Sequence, residues 1–223
     1  MSYFTTPKLV ENKRKRKKHY RDKRGMNMPK KRCEWVTDDP IYIKYHDEEW
    51  GSLNQFYDDH YLFEMLTLEG AQAGLSWLTI LKRREQYRKA FDQFNPEVVA
   101  QYTDKKKNEL MSNQGIIRNK RKIISTINNA KAFINVQQEF GSFHAFLWDF
   151  IGRKQIINQW DTNEQVPASS KESERLSDEL KHRGFTFVGP VICYSFMQAI
   201  GLINDHTINC FLRAKNNKTI DEK

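Results

Sequence analysis

The stretch HRGFTFVGPVICYSF, at residues 182–196, decides how this chain is expected to fold. A glycine such as Gly184 commonly ends a helix, and a proline such as Pro190 commonly begins one. We therefore predict two helices joined by a turn that carries Val188 and Gly189. Backbone N–H groups at the start of the second helix would form a cradle for a nucleic-acid phosphate, which could approach closely because Gly189 has no side chain.

The segments outward from this hairpin also have the pattern of helices. Apolar residues recur at helical spacing in three long runs, at residues 58–74, 78–94 and 121–140. Ser169 followed by Glu172 fits a capping box that opens a further helix ending at Gly184. No segment alternates as a strand would. The sequence thus predicts an all-α domain.

The positive charge of the chain is concentrated near its start. The 223 residues have a formal net charge of +9, yet residues 1–32 hold 13 lysines and arginines against two acids. This region lacks apolar periodicity, which indicates disorder. We divide the chain into a disordered basic extension at residues 1–31, a folded domain at residues 32–215 and a flexible tail at residues 216–223. The extension could bind phosphates by releasing counterions, or it could be a solvated segment that precedes the true start at Met28.

Composition and sequence pattern also indicate the cellular location of the protein. Charged residues interrupt every 20-residue window, so we expect no membrane span, and the first residues lack the pattern of a secretory signal. Three cysteines, an odd number, do not form a disulfide framework and are expected to be reduced. We therefore expect a cytoplasmic protein, and the lack of an extended apolar surface pattern predicts a monomer.

Two of the cysteines lie near histidines at opposite ends of the domain. His206 and Cys210 are four residues apart, so on a helix both would project from one face. Cys33 and His46 would complete a Cys2His2 set, which suits closed tetrahedral zinc coordination and leaves no open position for catalysis. The alternative is two buried cysteines and two unrelated histidines. Cys193, within an apolar helix, is expected to be a core residue.

Aromatic residues are concentrated beside the first of these pairs. They are Trp35, Tyr42, Tyr45 and Trp50, with Trp77 further along the chain. Aromatic faces in loops can stack on a flipped base, and they attract a cationic base most strongly. The alternative is that they pack around the metal site, the role expected of Trp50. Glu69 interrupts an apolar helical stretch, so its carboxylate needs a partner, which could be a substrate. The alternative is a buried glutamate that caps a helix or forms a salt bridge.

In five blocks the chain resembles the bacterial DNA-3-methyladenine glycosylase I family of base-excision repair enzymes. The blocks are RCEWVTDDPIYIKYHDEEWG, LFEMLTLEGAQAGLSWLTILKRRE, GIIRNKRKI, RGFTFVGPVICYSFMQAIGLINDH and the final His-x-x-x-Cys. They span Arg32 to about Lys215 in the family's order. The first 31 residues lie outside the resemblance, and two extra residues between Gly51 and Leu62 depart from the family pattern.

The resemblance implies a helix-hairpin-helix glycosylase fold and hydrolytic release of free 3-methyladenine from alkylated double-stranded DNA. It implies one structural Zn²⁺, bound by Cys33, His46, His206 and Cys210. It further implies a base-recognition role for Glu69, a base pocket of Trp35, Tyr42, Tyr45 and Trp77, and DNA contacts by Gly74, Leu75, Val188 and Gly189.

Asp205 follows the hairpin at a place where related glycosylases carry a catalytic aspartate. Because it adjoins His206, we expect it to hold that zinc ligand by a hydrogen bond rather than to activate water. No lysine just after the hairpin is suited to Schiff-base formation, so we expect a monofunctional glycosylase.

Three alternatives remain open from the sequence. The protein could be a zinc-clasped DNA-binding module without catalysis. It could be a nucleic-acid or ribosome-associated protein that binds through its basic extension. It could also be the same enzyme acting on another lesion, such as 3-methylguanine or 7-methylguanine.

Overall fold

The computed structural model describes residues 30–213, which fold into ten α-helices, three short 3-10 turns and one pair of short strands. The helices are α1 Pro40–Glu48, α2 Asp59–Gln72, α3 Trp77–Leu81, α4 Arg84–Ala90, α5 Pro96–Val99, α6 Asp104–Ser112, α7 Lys120–Phe140, α8 Phe143–Phe150, α9 Lys171–His182 and α10 Pro190–Ala199. No helix in this range is both long and apolar enough to cross a membrane. The predicted tail at residues 216–223 and all but the last two residues of the predicted extension lie outside the described residues.

Helix α2 is the centre of the core. Asp58 caps its N-terminus by accepting hydrogen bonds from the backbone N–H groups of His60 and Tyr61. Every residue from Tyr61 to Ala71 is buried, and α2 contacts α3, α7, α8 and α10. A helix that is covered on all sides carries its polar residues into the interior, so Glu69 is buried with it.

A second buried acid on α2 has protein partners. Glu64 accepts hydrogen bonds from Arg84 and Arg88, each at 2.7 Å from Nε, and Arg84 also donates to Glu49 at 2.6 Å. The network joins α2 to α4 and to the end of α1. Loss of one member would leave a buried charge without compensation.

The predicted hairpin is formed by α9 and α10. Gly184, just after α9, has a φ of 88°, a left-handed conformation that glycine adopts without strain. Gly189 is the N-cap residue of α10, and Pro190 is its first residue. Helix α9 begins one residue later than the predicted box at Ser169, because Ser170 and Ser173 cap each other's backbone N–H groups.

A short strand pair corrects the expectation that the domain has no strands. β1 (Ile156–Ile157) pairs in parallel with β2 (Ile203–Asn204), with Ile156 opposite Ile203. Two residues are too few to show an alternating pattern in the sequence. Before β2, a Cβ atom on Gly201 would lie 2.5 Å from the carbonyl carbon of Ser52, so only glycine allows this approach of the two chain segments.

Candidate active site and metal centre

The four residues of the predicted Cys2His2 set come together. The ligand atoms of Cys33, His46, His206 and Cys210 all lie within 4.8 Å of one another, and all four residues are buried. Cys210 Sγ is 3.4 Å from His46 Nε2 and 3.5 Å from His206 Nδ1, and Cys33 Sγ is 3.5 Å from His206 Nδ1. The cluster could therefore hold a metal ion, and it joins the two ends of the described domain.

His206 and Cys210 do not lie on a helix, contrary to the expectation from their spacing. Residues 208–213 form turns, in which the Cys210 N–H donates to the carbonyl of Thr207 at 2.8 Å. A turn returns the chain toward its own start, so a spacing of four residues here also brings both side chains to one point.

Outer hydrogen bonds orient both histidines. His46 Nδ1 lies 2.9 Å from Asp47 Oδ1, and Arg32 donates to both oxygens of Asp47 at 2.8 Å. His206 Nε2 lies 3.1 Å from the carbonyl oxygen of Trp50. When these outer nitrogens donate, the inner nitrogens present their lone pairs to the cluster, as metal ligation requires. The hydrogen bond between the two thiols lowers the pKa of Cys210 and raises the pKa of Cys33, so the pair holds one proton between them.

Asp205 does not hold the ring of His206, so the predicted bond between them is wrong. The carbonyl of Trp50 occupies that position instead. Asp205 accepts four other hydrogen bonds at 2.6–2.8 Å, from Asn158, Trp160, Tyr194 and Gln198. A carboxylate has about four acceptor sites, so protein donors use all of them. Asp205 therefore ties α10 to the chain around residues 158–160.

The residues predicted for the base pocket line one cavity of about 240 Å³. They are Trp35, Tyr42, Tyr45, Glu69 and Trp77. Six more residues complete the lining: Trp50, Gln72, Asn163, Val166, Ser195 and Gln198. Sequence signals for three of these were missed. Ser195 and Gln198 are polar residues on the largely apolar α10. Gln72 follows Glu69 by three positions, so the two lie on the same face of α2. Asn163 begins a short 3-10 turn and Val166 follows that turn, and neither gave such a signal.

The aromatic rings of the cavity meet at steep angles rather than in parallel stacks. The ring of Trp35 lies 5.1 Å from that of Tyr42 and 5.0 Å from that of Trp50, at 63° and 74°. Tyr45 and Trp77 are 5.4 Å apart. Edge-to-face contacts of this kind are favourable. Trp35 also lies 5.3 Å from the ring of His46, so the cavity and the metal cluster share a wall.

Glu69 is the carboxylic acid of the cavity. It is 4% exposed, and no group within residues 30–213 hydrogen-bonds its carboxylate, in contrast to Glu64. Burial raises the pKa of Glu69 to about 8. Burial, and then the charge of Glu69, raise the pKa values of Tyr42 and Tyr45. An unpaired carboxylate among aromatic rings is suited to bind a planar cation.

We expect Glu69→Gln to stabilise the ligand-free protein at pH 9 and to change its stability little below pH 4.5. The unfolded carboxyl titrates near 4.5 and the folded one near 8. The folded state therefore holds the proton more tightly, and wild type loses stability as the pH rises between these values. By pH 9 the variant should be more stable by on the order of 5 kcal/mol, since each pKa unit corresponds to about 1.36 kcal/mol. Urea unfolding at pH 4.5, 7 and 9 measures this, and a difference that is constant with pH would contradict it.

The residues predicted to contact DNA lie in two turns. Gly74, with a φ of 80°, has open space where a Cβ would be, and Leu75 is 40% exposed. Gly189 also faces open space. The side chain of Val188, however, is only 2% exposed, so this residue could offer a phosphate only its backbone.

Fold and site together define an α-helical protein with an aromatic pocket for a small planar ligand, beside two exposed turns. The sequence model of the family described as methyladenine glycosylase matches residues 35–213. The chain therefore belongs to the methyladenine glycosylase family, which confirms the resemblance inferred from the sequence.

Individual relatives agree with this assignment. The chain is 48% identical over 179 residues to DNA-3-methyladenine glycosylase 1 of Escherichia coli (strain K12), which covers 80% of this chain and 95% of that protein. It is similar to the structure of 3-methyladenine DNA glycosylase I from Staphylococcus aureus, with a TM-score of 0.78, 38% identity, and coverage of 82% and 96% of the two chains. A variant 3-methyladenine DNA glycosylase I in complex with 3-methyladenine has the same TM-score and identity, with 82% and 97% coverage.

Proposed function

We propose that this protein is a DNA glycosylase that hydrolytically releases 3-methyladenine from alkylated double-stranded DNA. The observation that carries the proposal is the aromatic cavity with the unpaired carboxylate of Glu69, in a chain that is 48% identical to an Escherichia coli DNA-3-methyladenine glycosylase. A cavity of about 240 Å³ suits one nucleobase better than a larger adduct.

The chemistry of the lesion explains what the pocket must do. Methylation at N3 makes adenine cationic in the nucleotide, so the base is a good leaving group without a strong acid. When the bond between C1′ and N9 breaks, its electron pair neutralises the base and leaves an oxocarbenium-like sugar. Water then adds its oxygen to C1′ and loses a proton. The enzyme has to take the base out of the duplex, which costs about a few kcal/mol and less for a weakly paired lesion.

We assign different roles in base recognition to different residues in and around the pocket. The rings of Trp35, Tyr42, Tyr45 and Trp77 select a flat, positively charged base. Glu69 accepts hydrogen bonds from it and pairs with its charge. We assign Asp205 a positioning role rather than activation of water, because four protein donors already use its acceptor sites.

The two exposed turns would hold the duplex. We infer that α9, its turn and α10 form the helix-hairpin-helix unit of a DNA glycosylase fold. The N–H groups at the start of α10 bind a backbone phosphate, while Gly74 and Leu75 enter the gap left by the flipped nucleotide. Arg118, Lys120 and Arg121 are exposed at the start of α7 and add attraction to phosphates.

The cysteine and histidine cluster fits one structural Zn²⁺. With Zn–S near 2.3 Å and Zn–N near 2.0–2.1 Å, each S–N edge of a regular tetrahedron is about 3.6 Å. Three of the four sulfur-to-nitrogen distances are 3.4–3.5 Å, which is close to that length. Four protein ligands leave no open position, so bound zinc would stabilise the fold by joining α1 to the turns after β2. The release of the base does not depend on it chemically.

Other features of the proposed enzyme remain predictions. These are the monomeric state, the cytoplasmic location and the absence of lyase activity. The possible binding of phosphates by the basic extension also remains a prediction, because only its last two residues are among those described, and the C-terminal tail lies outside them.

Measurement of the free bases released from methylated duplex DNA tests the proposed function. We expect the protein to release 3-methyladenine, with unmethylated duplex as the control that yields nothing. Release of only 3-methylguanine or 7-methylguanine would change the assigned lesion. Tight DNA binding with no base release would favour a DNA-binding module over an enzyme.

A further inference from the structure

We propose that Lys122 and Asn129 of α7 are positioning residues that set the separation of the two DNA-contacting turns. We call residues 73–76 the gap-filling loop and residues 185–189 the hairpin turn. The inference rests on the proposed function, in which the gap-filling loop enters the duplex and the hairpin turn binds a phosphate of the same duplex.

Lys122 holds the start of the gap-filling loop. Its Nζ donates to the carbonyl oxygens of Ala71 at 2.8 Å and Ala73 at 2.7 Å. These carbonyls lie at the C-terminal end of α2, where they lack partners within the helix and attract a cation. Lys122 is partly buried, which lowers the pKa of its ammonium group. Its ammonium group is therefore used in contacts within the protein, unlike the exposed basic side chains at the start of α7.

Asn129 holds the hairpin turn. Its Nδ2 donates to the carbonyl of Thr186 at 2.9 Å, and its Oδ1 accepts from the Thr186 N–H at 2.8 Å. Ser125 adds a hydroxyl bond to the same carbonyl at 3.2 Å. The next residue, Phe187, has a φ of 55°, a strained value for a side chain of its size that persists only when its surroundings hold it.

The two ties belong to one rigid element. Lys122, Ser125 and Asn129 are three and four residues apart, so they form one stripe along α7, a helix of 21 residues. Helix α7 thus contacts the gap-filling loop at one end of the stripe and the hairpin turn at the other. A loop and a turn that bind one duplex together must keep their relative position to within about 0.5 Å, and misplacement by about 1 Å can cost 100-fold in rate.

Lys122→Met and Asn129→Leu test the proposal because each keeps the size of the side chain and removes its hydrogen bonds. We expect kcat/KM for release of 3-methyladenine from duplex DNA to fall by about 10- to 100-fold, mostly through KM. The affinity for free 3-methyladenine, measured by quenching of tryptophan fluorescence, should stay within about twofold of wild type, since neither substituted side chain lines the pocket. Lys122→Arg, which keeps the donors, should restore most of the activity.

Matched controls lie on the outer face of the same helix. Lys131→Met and Asn128→Leu alter exposed residues and should change neither quantity. The double variant should be as active as the less active of the two single variants. Loss of either set of hydrogen bonds already allows the distance between the gap-filling loop and the hairpin turn to vary. If Asn129→Leu does not fold, Ser125→Ala tests the same tie with a smaller expected loss.

Three results would overturn the inference. They are unchanged duplex activity in folded variants, losses that multiply in the double variant, and an equal fall in free-base affinity and duplex activity, which indicates a merely structural role. Wild-type protein that releases no base would refute the proposed function instead, and the two failures are therefore distinguishable.

Discussion

At pH 9, where Glu69 is ionised, Glu69→Gln is expected to lower kcat/KM for release of 3-methyladenine from duplex DNA by about 100-fold or more. The substitution keeps the volume of the side chain and removes its charge. A hydrogen bond to a charged group is worth about 1.5–3 kcal/mol, and the attraction of a buried carboxylate for a cationic base adds to this. Each 1.36 kcal/mol of transition-state stabilisation is about tenfold in rate. Single-turnover release from methylated duplex measures the change.

The control for this variant is Glu109→Gln, at an exposed position of α6, which should leave base release unchanged. Loss of activity in Glu69→Gln, together with a urea-unfolding curve that shows stability equal to or greater than that of wild type, would assign the effect to the pocket rather than to the fold. Near-wild-type kcat/KM in Glu69→Gln would mean that the carboxylate does not recognise the base, and the pocket assignment would be wrong.

The same carboxyl predicts how activity depends on pH. In the free enzyme Glu69 has a pKa of about 8, and kcat/KM reports groups of the free enzyme. The charge of the lesion is fixed by methylation and does not titrate. Wild-type kcat/KM should therefore rise with pH by up to about tenfold per unit below pH 8 and level off above it, whereas Glu69→Gln should show no such rise.

Glu69 thus has opposite effects on stability and on binding. Above pH 8 its charge destabilises the empty pocket, yet under the proposed function the same charge would bind a cationic base. The buried acid with arginine partners on the same helix, Glu64, has no such conflict. A protein that leaves one buried carboxylate unpaired gives up stability for a function that needs it, as is common for binding sites.

The fold was largely predictable because local signals agreed with one another. Gly184 and Pro190 marked the hairpin, and apolar periodicity marked α2 and α7. Glu69 could be singled out because an acid within an apolar helical stretch breaks its pattern, although Glu64 on the same helix gives the same signal and has arginine partners. The strand pair could not be found, since two residues on each strand have no period and pair only after the chain has folded.

The site was predictable where it depends on residue types and not where it depends on backbone groups. Cys33 and Cys210 could be paired with histidines by type. The partner of His206 could not be predicted, because it is the carbonyl of Trp50, and every residue has a carbonyl. The burial of Val188 was also missed, since a short apolar residue in a turn gives no sign of which way it faces.

Cys210→Ser is expected to remove the bound metal and to lower the melting temperature by about 10–20 °C. Structural zinc contributes about 10–16 kcal/mol in small peptides that fold only with the metal. Here the core around α2 stabilises much of the fold without the metal, so we expect the free energy of unfolding to fall by about 5 kcal/mol. A change of about 2–4 °C per kcal/mol gives the expected drop in melting temperature. Elemental analysis should find one zinc per wild-type chain and none in the variant.

Cys193→Ser is the matched control, because Cys193 is buried on α10 outside the cluster and a serine hydroxyl could keep its bond to the Val188 carbonyl. This variant should retain one zinc.

Asp47→Asn should also retain the metal at saturation, but with about 10- to 100-fold weaker affinity in competition with a chelator. A chelator and Cys210→Ser both remove the metal that links the chain segments. After treatment with a chelator, the variant should therefore have a melting temperature no lower than that of wild type. A further drop would mean that Cys210 stabilises the fold by packing, and the absence of metal from carefully purified wild type would refute the zinc site.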